Sequence, residues 1–288
     1  MSIFILKTTH KSTFFRYLKK NLCVLYKYAL KYQKKEKENI MTEKNQTQST
    51  STETVTTETS EKIVDTSWKR YLLPAIHPQG WPILGVMAVI FTLLGLITDD
   101  LTWYIGFPML VFSYYFFRNP TRETPQTPNL IIAPADGIVS NIKYVVPPKE
   151  LSLGDEPLLR ISIFMSVFSV HVNRAPVSGT VDALNYRPGK FVSVADKDSE
   201  DNERQEICMV ADNGQRIGFI QIAGLVARRI YCPLKVGDKL KAGDIFGMIR
   251  FGSRLDVFLP KGVEPKVLLG QVSVAGETIL ADMNELKK

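Results

Sequence analysis

Cysteine and histidine are the scarce residues of this 288-residue chain, with three of each. Cys23, Cys208 and Cys232 are odd in number, far apart and without any C-x-x-C spacing, so they indicate neither a disulfide framework nor a zinc site, and a reducing compartment fits them. His10, His77 and His171 are the only histidines, which removes most metal-site geometries, and no metal is expected. Acidic residues are nearly missing from residues 1–40, where ten Lys or Arg face only Glu36 and Glu38. Residues 41–288 then hold 26 basic against 27 acidic groups, so the formal charge of +7 belongs to the N-terminal arm. This removes the case for a nucleic-acid partner of the main domain. The hydrophobic content of 45% is ample for a packed core.

Large apolar side chains are almost absent from Met41 through Thr66, a run of Thr, Ser, Glu and Gln that cannot bury enough surface to offset ordering entropy. Residues 41–66 are expected to form a disordered linker. Upstream, Phe14, Leu18, Leu22, Leu25 and Ala29 recur at helical spacing among lysines. Three readings of residues 1–40 stay open: a basic arm on anionic lipid, a targeting peptide, or an upstream artefact before a true start at Met41. Deleting residues 1–40 is expected to leave activity intact.

Two apolar runs follow, Trp81 to Ile97 and Leu101 to Phe117, separated by Thr98-Asp99-Asp100. Each is close to the lower limit for spanning roughly 30 Å of hydrocarbon at about 1.5 Å per residue. A helical hairpin within residues 67–122 is the natural inference, whether it spans, inserts shallowly or packs as a soluble core element. Lys69 and Arg70 precede it, Arg118 and Arg122 follow it, and the connecting turn is acidic, so the positive-inside rule puts both ends at the cytoplasmic face of the cell membrane.

Residues 123–288 have a different texture. Short β-like runs broken by Gly and Pro cover Leu130–Ile132, Gly137–Val145, Leu158–Val167, Gly179–Asn185, Ile207–Val210, Arg216–Ile222, Phe246–Arg250 and Leu255–Leu259. They argue a mainly β (α+β) fold, a barrel or sandwich rather than alternating βαβ units. One pattern occurs twice: Val236 to Ile245 and Leu269 to Ile279 each carry two glycines six residues apart around short apolar alternation. These half-repeats resemble the barrel-sandwich hybrid of biotinyl and lipoyl carrier domains, where glycines allow tight turns. A carrier would need a lysine at an exposed hairpin tip within an acceptor motif, and the sequence holds no such motif.

Within Arg250-Phe251-Gly252-Ser253-Arg254-Leu255-Asp256 lies a Gly-Ser pair whose serine has a special chemistry open to it. A serine after glycine in a strained, buried turn can attack the preceding carbonyl and turn that peptide bond into an ester. Elimination then leaves a dehydroalanine, whose hydrolysis releases ammonia and caps the new N-terminus with a pyruvoyl ketone, an electron sink able to form a Schiff base with an amine. Gly-Ser is also among the commonest turn pairs, and by itself reads as a plain loop.

Context comes from six stretches: FFRNPTR at 116–122, APADG at 133–137, FMSVFSVHVNRAP at 164–176, Asn202-Glu203-Arg204, QIAGLVARRI at 221–230 and RFGSRLD at 250–256. Together and in this order the chain resembles the phosphatidylserine decarboxylase proenzymes of the short bacterial type, over about residues 68 to 283. The resemblance implies self-cleavage between Gly252 and Ser253 into a large membrane-associated β chain and a small α chain whose covalent cofactor is a pyruvoyl group made from Ser253. It implies conversion of phosphatidylserine in the membrane to phosphatidylethanolamine and CO2 through a Schiff base. It also implies an Asp-His-Ser constellation of Asp136, His171 and Ser253, with the aspartate orienting or charging the base and His171 returning a proton to the lipid carbon. Read alone, Asp136 before Gly137 is a turn former and His171 a hydrogen-bonded core histidine.

The chain departs from that pattern at one position. Relatives of the familiar bacterial form carry H-x-x-H where this chain has His171 and Arg174, and an arginine is a poor general base. Either His171 serves both cleavage and decarboxylation, or Asp136 acts more directly on Ser253; Arg174 is then a candidate oxyanion or lipid-phosphate contact. Alternatives are a decarboxylase of another seryl lipid such as archaetidylserine, and a non-enzymatic membrane-tethered barrel-sandwich module, which predicts an intact chain. Homo-oligomerisation is left open.

Overall fold

Two apolar helices lead into a succession of short strands, in the order the sequence pattern requires. The computed structural model describes residues 72–98, 101–189, 202–224, 230–250 and 252–286, all within one unit, Asp65–Lys288. The basic arm, the linker and residues 190–201 lie outside the described residues. In chain order the elements are β1 (Ala75–Ile76), α1 (Trp81–Ile97), α2 (Leu101–Phe116), β2 (Arg118–Asn119), β3 (Leu130–Ile132), β4 (Gly137–Val145), β5 (Leu158–Met165), β6 (Val172–Arg174) and β7 (Gly179–Arg187). There follow β8 (Arg204–Ala211), β9 (Arg216–Ala223), β10 (Ile230–Tyr231), β11 (Lys239–Leu240), β12 (Ile245–Ile249), β13 (Ser253–Phe258), β14 (Val263–Pro265), β15 (Val272–Ser273) and β16 (Ile279–Leu286).

An eight-stranded antiparallel sheet dominates, in the order β11-β7-β8-β9-β13-β5-β4-β15, faced by the three-stranded sheets β10-β12-β6 and β14-β16-β3. The mainly β expectation holds. Alternation along β13 shows how the core is divided: Leu255 and Val257 belong to the main core, whereas Phe258 belongs to a smaller cluster with Leu151, Ile220 and Ile222 on the opposite face. The half-repeat glycines act as expected, with Gly237, Gly243, Gly270 and Gly276 all at φ between +79° and +94°. The two halves also share side-chain clips. Lys235 N–H donates to Asp238 and Leu268 N–H to Gln271, each across one such turn.

The helices pack closely because small residues face large rings. A Cβ at Gly95 would collide with the Trp103 indole, and one at Gly106 with the Phe91 ring. Their outer surfaces are apolar on all sides, with Ile97 83%, Tyr104 77% and Phe107 68% exposed. A soluble core hairpin would be buried, yet Gly95 is the only buried residue of α1. Pro78–Ile97 is the one helical stretch among the described residues long and apolar enough to cross a bilayer, whereas α2 has 16 residues and contains Pro108. The foot of the hairpin docks on the β domain through Phe116 and Phe117, which pack with Val170, Val172 and Met248.

Candidate active site

Gly252 enters β13 at φ +57°, a left-handed conformation that glycine adopts without penalty. A Cβ there would meet nothing within 4 Å, so the backbone conformation and not the space demands glycine. Gly252→Ala, compared in a Ser253→Ala background so that the chain stays whole, should fold and lose about 1–2 kcal/mol in a denaturant melt. An unchanged midpoint would show that this turn holds no such conformational constraint.

Ser253 is the first residue of β13, in the middle of the large sheet, opposite Met165 on β5 and Ala223 on β9. In phase with Leu255 and Val257, its side chain points into the core, and it is fully buried. Its Oγ has no hydrogen-bond partner. Buried hydroxyls are nearly always paired, and an orphan one requires a reason.

His171 sits just before β6, and its carbonyl accepts a hydrogen bond from Ile249 N–H, close to the turn that leads into Ser253. The imidazole lies on the Phe116 ring, centroids 4.2 Å apart. Nδ1–H donates to the Ser169 carbonyl at 2.9 Å, which leaves the lone pair of the neutral ring on Nε2. Nε2 is also buried and unpartnered. Burial, reinforced by the positive charge of Arg118 and opposed by the bond to Ser169, pulls the His171 pKa down to about 4.

Asp136 lies in the turn before β4. Its Oδ2 accepts from Arg122 at 2.7 Å and its Oδ1 from Ala275 N–H at 2.7 Å. Burial pushes its carboxyl above the usual range, against the pull of Arg122, the Ala275 N–H, Arg118 and Arg174. Asp136 and His171 are therefore not linked by a hydrogen bond: the imidazole is oriented by Ser169, and the carboxylate balances a group of arginines. Asp136→Asn keeps an acceptor for Ala275 but strands Arg122. It is expected to cost about 1–3 kcal/mol in thermal unfolding and to slow chain cleavage. A variant as stable and as fast as its parent would remove Asp136 from the site.

Arg174 is largely engaged by the fold. Nη1 donates to the Gly243 carbonyl at 2.9 Å, and Nη2 to Asn119 Oδ1 and the Pro120 carbonyl at 3.1 Å each. It ties the hairpin exit to one half-repeat turn. In the sequence Arg118 reads as a positive charge at the hairpin exit and is given no part in the site. It donates to the Tyr115 carbonyl and to the Phe168 carbonyl, joining the foot of α2 to the loop that carries His171. Its signal was its place in the FFRNPTR stretch. A cavity of about 300 Å³ lined by Gln126, Asn129, Ser178, Asn213 and Met283 involves none of these site residues.

A family model described as phosphatidylserine decarboxylase matches residues 109–281. The chain belongs to the phosphatidylserine decarboxylase family. Among its relatives, the phosphatidylserine decarboxylase proenzyme of Ruegeria pomeroyi is 55% identical over 212 residues, covering 73% of this chain and 96% of that one. The proenzyme so named in Cereibacter sphaeroides is 54% identical over 209 residues, 72% of this chain and 90% of its own. That of Paramagnetospirillum magneticum is 52% identical over 219 residues, 76% and 91% of the respective chains. Asp136, His171, Arg174, Gly252 and Ser253 all fall inside the segment that matches the phosphatidylserine decarboxylase family model.

Proposed function

We propose that this chain is a self-processing, pyruvoyl-dependent decarboxylase that converts phosphatidylserine to phosphatidylethanolamine and CO2. The observation that carries the reading is the orphan hydroxyl of Ser253, fully buried after a left-handed glycine in the middle of the core sheet. Ser162 Oγ is also buried and unpartnered, but of the two only Ser253 follows a left-handed glycine whose carbonyl it can attack.

In the cleavage step, Ser253 Oγ adds to the Gly252 carbonyl carbon while its proton passes to His171 Nε2, which is held neutral and lone-pair-ready by the Ser169 bond. The Gly252–Ser253 C–N bond then breaks, leaving an ester and a free amine. Elimination of that ester releases residues 1–252 with a free Gly252 carboxylate and leaves a 36-residue fragment, 253–288, headed by dehydroalanine, whose hydrolysis by water expels ammonia and gives the ketone. The pyruvoyl group so generated supplies the carbonyl that takes up electrons as CO2 departs. His171 Nε2 delivers the proton to the carbon that has lost its carboxylate. Ser253 and His171 are both sealed from solvent in the uncut chain, so cleavage must precede lipid entry.

The hairpin supports the choice of a lipid substrate. A diacyl lipid scarcely leaves its bilayer, and the apolar surfaces of α1 and α2 would hold the site against that bilayer, with Arg118 and Arg122 on the cytoplasmic side. Phe168, 73% exposed and edge-on to Phe112 of α2, continues this surface to the His171 loop. Intact-mass spectrometry tests the reading. A fragment of residues 253–288 about 17 Da lighter than the serine-started peptide, as replacement of amine by ketone requires, is the expected result. An uncut chain that nevertheless decarboxylates phosphatidylserine would overturn it.

A further inference from the structure

Asn173 and Gln221 are both fully buried and bonded to each other, Gln221 Nε2–H donating to Asn173 Oδ1 at 2.8 Å. Asn173 Nδ2–H is turned toward Met165 Sδ at 3.7 Å, and Gln221 Oε1 has no partner. Burying two carboxamides is costly unless their groups are well paired, and a thioether is a weak acceptor. The pair is poorly satisfied for its burial.

Its location is informative. Met165 on β5 stands directly opposite Ser253. Gln221 on β9 stands opposite Leu255, one pleat along the same face, a diagonal at which side chains about 7–8 Å apart still meet. Asn173, on β6 of the facing sheet, bonds to Gln221 and touches Met165, and so reaches across β13 from one neighbouring strand to the other where that strand begins. The Gly252–Ser253 bond is at that point.

We propose that Asn173 is the oxyanion donor for chain cleavage and that Gln221 is the residue that positions it; this rests on the cleavage reading above. As Ser253 Oγ adds to the Gly252 carbonyl carbon and its proton moves to His171 Nε2, negative charge gathers on the Gly252 carbonyl oxygen. Asn173 Nδ2–H exchanges a sulfur for that oxyanion, an interaction much stronger in the transition state than in the ground state. The oxygen then reverts to a carbonyl as the C–N bond breaks and the Ser253 nitrogen takes the proton. By donating to Oδ1, Gln221 fixes the sense of the Asn173 carboxamide and keeps its NH2 end toward Met165 and Ser253. A reversed carboxamide would present an acceptor to the developing charge.

The test follows cutting of the full-length chain after cell-free synthesis, by gel and intact mass, with each variant also melted in a Ser253→Ala background. Asn173→Leu is expected to slow cutting by about 10²–10³-fold, the usual cost of one oxyanion donor. Gln221→Leu should slow it less, and the double Leu variant, which removes both polar partners together and so keeps a paired-up core, should match Asn173→Leu alone. Hydroxylamine separates this role from a merely structural one. It attacks an accumulated ester at the Gly252 carbonyl, expelling the Ser253 hydroxyl and leaving a Gly252 hydroxamate, but it has nothing to attack if the ester never forms. No rescue of Asn173→Leu is therefore expected. Folded Asn173→Leu or double variants that cut at the parent rate, or an Asn173→Leu chain cut by hydroxylamine at that rate, would overturn the assignment. A parent chain that is not cut between Gly252 and Ser253 would instead overturn the cleavage reading itself.

Discussion

Ser253→Ala is expected to remain a single chain of 32.5 kDa, with no fragment of residues 253–288 and no decarboxylation. The loss should be on the order of 10⁴–10⁶-fold in cutting rate, the scale seen when a nucleophile is deleted and nothing can replace it. The same substitution also carries a stability prediction, opposite in sign to the usual one. Most core substitutions destabilise, but this one deletes a buried hydroxyl with no partner and leaves a methyl group among apolar neighbours. An unsatisfied buried polar group costs about 1–3 kcal/mol, so the alanine chain should unfold at the same denaturant concentration as the uncut precursor or at a higher one. Intact mass reads the first outcome and a denaturant melt the second. Cutting at the parent rate would remove Ser253 from the chemistry. A large loss of stability would mean that the hydroxyl is a packing element and not a group held in reserve.

The strand pattern was readable because alternation and turn residues agreed locally. Leu130–Ile132 and Gly137–Val145 occur where alternation placed them, and the other runs differ from their strands by a few residues at the ends. β16 was not readable. Its run Ile279-Leu280-Ala281-Asp282-Met283-Asn284-Glu285-Leu286 is rich in residues that favour helix, and the strand forms because β3 and β14 offer it a place on both sides. Tertiary pairing decides there, and no local signal carries it. The two-residue strands β1, β2 and β10 are of the same kind, set by docking of the hairpin foot and by sheet edges rather than by their own residues.

The resemblance points to Asp136, His171 and Ser253 as candidate site residues, and the fold carries Asp136 just before β4 and Ser253 at the start of β13, each beside the end of β5. What the resemblance could not supply is who bonds to whom. A carboxylate orienting an imidazole is the usual arrangement of such a group, yet here the Ser169 carbonyl orients the ring and Asp136 answers Arg122. Arg174, where the sequence departs from an H-x-x-H pattern, has a structural part of its own. A guanidinium can hold Asn119, Pro120 and Gly243 at once, which an imidazole with two nitrogens cannot. Arg174 thus serves the junction between hairpin and β domain.

His171→Gln is expected to abolish cutting and turnover by about 10²–10⁴-fold, the contribution of a positioned base, while leaving the fold in place, since glutamine is similar in size and keeps a polar end near Ser169. Its sharper consequence concerns pH. In the folded chain the His171 pKa is about 4, against about 6.5 in the unfolded chain, so between those values the unfolded chain binds more protons. Stability contributed by the neutral, buried ring is complete above pH 6.5 and is lost as pH falls toward 4, on the order of 3 kcal/mol across that window. In a Ser253→Ala background the unfolding midpoint should therefore fall steeply from pH 6.5 to 4, and the added His171→Gln substitution should flatten that fall. Equal slopes would mean that His171 is not held neutral by burial. The cutting rate of the parent chain gives an independent reading: a base that is already deprotonated throughout pH 5–8 produces a flat profile there, whereas a rate that collapses below about pH 6.5 would place the proton acceptor on a group more exposed than His171.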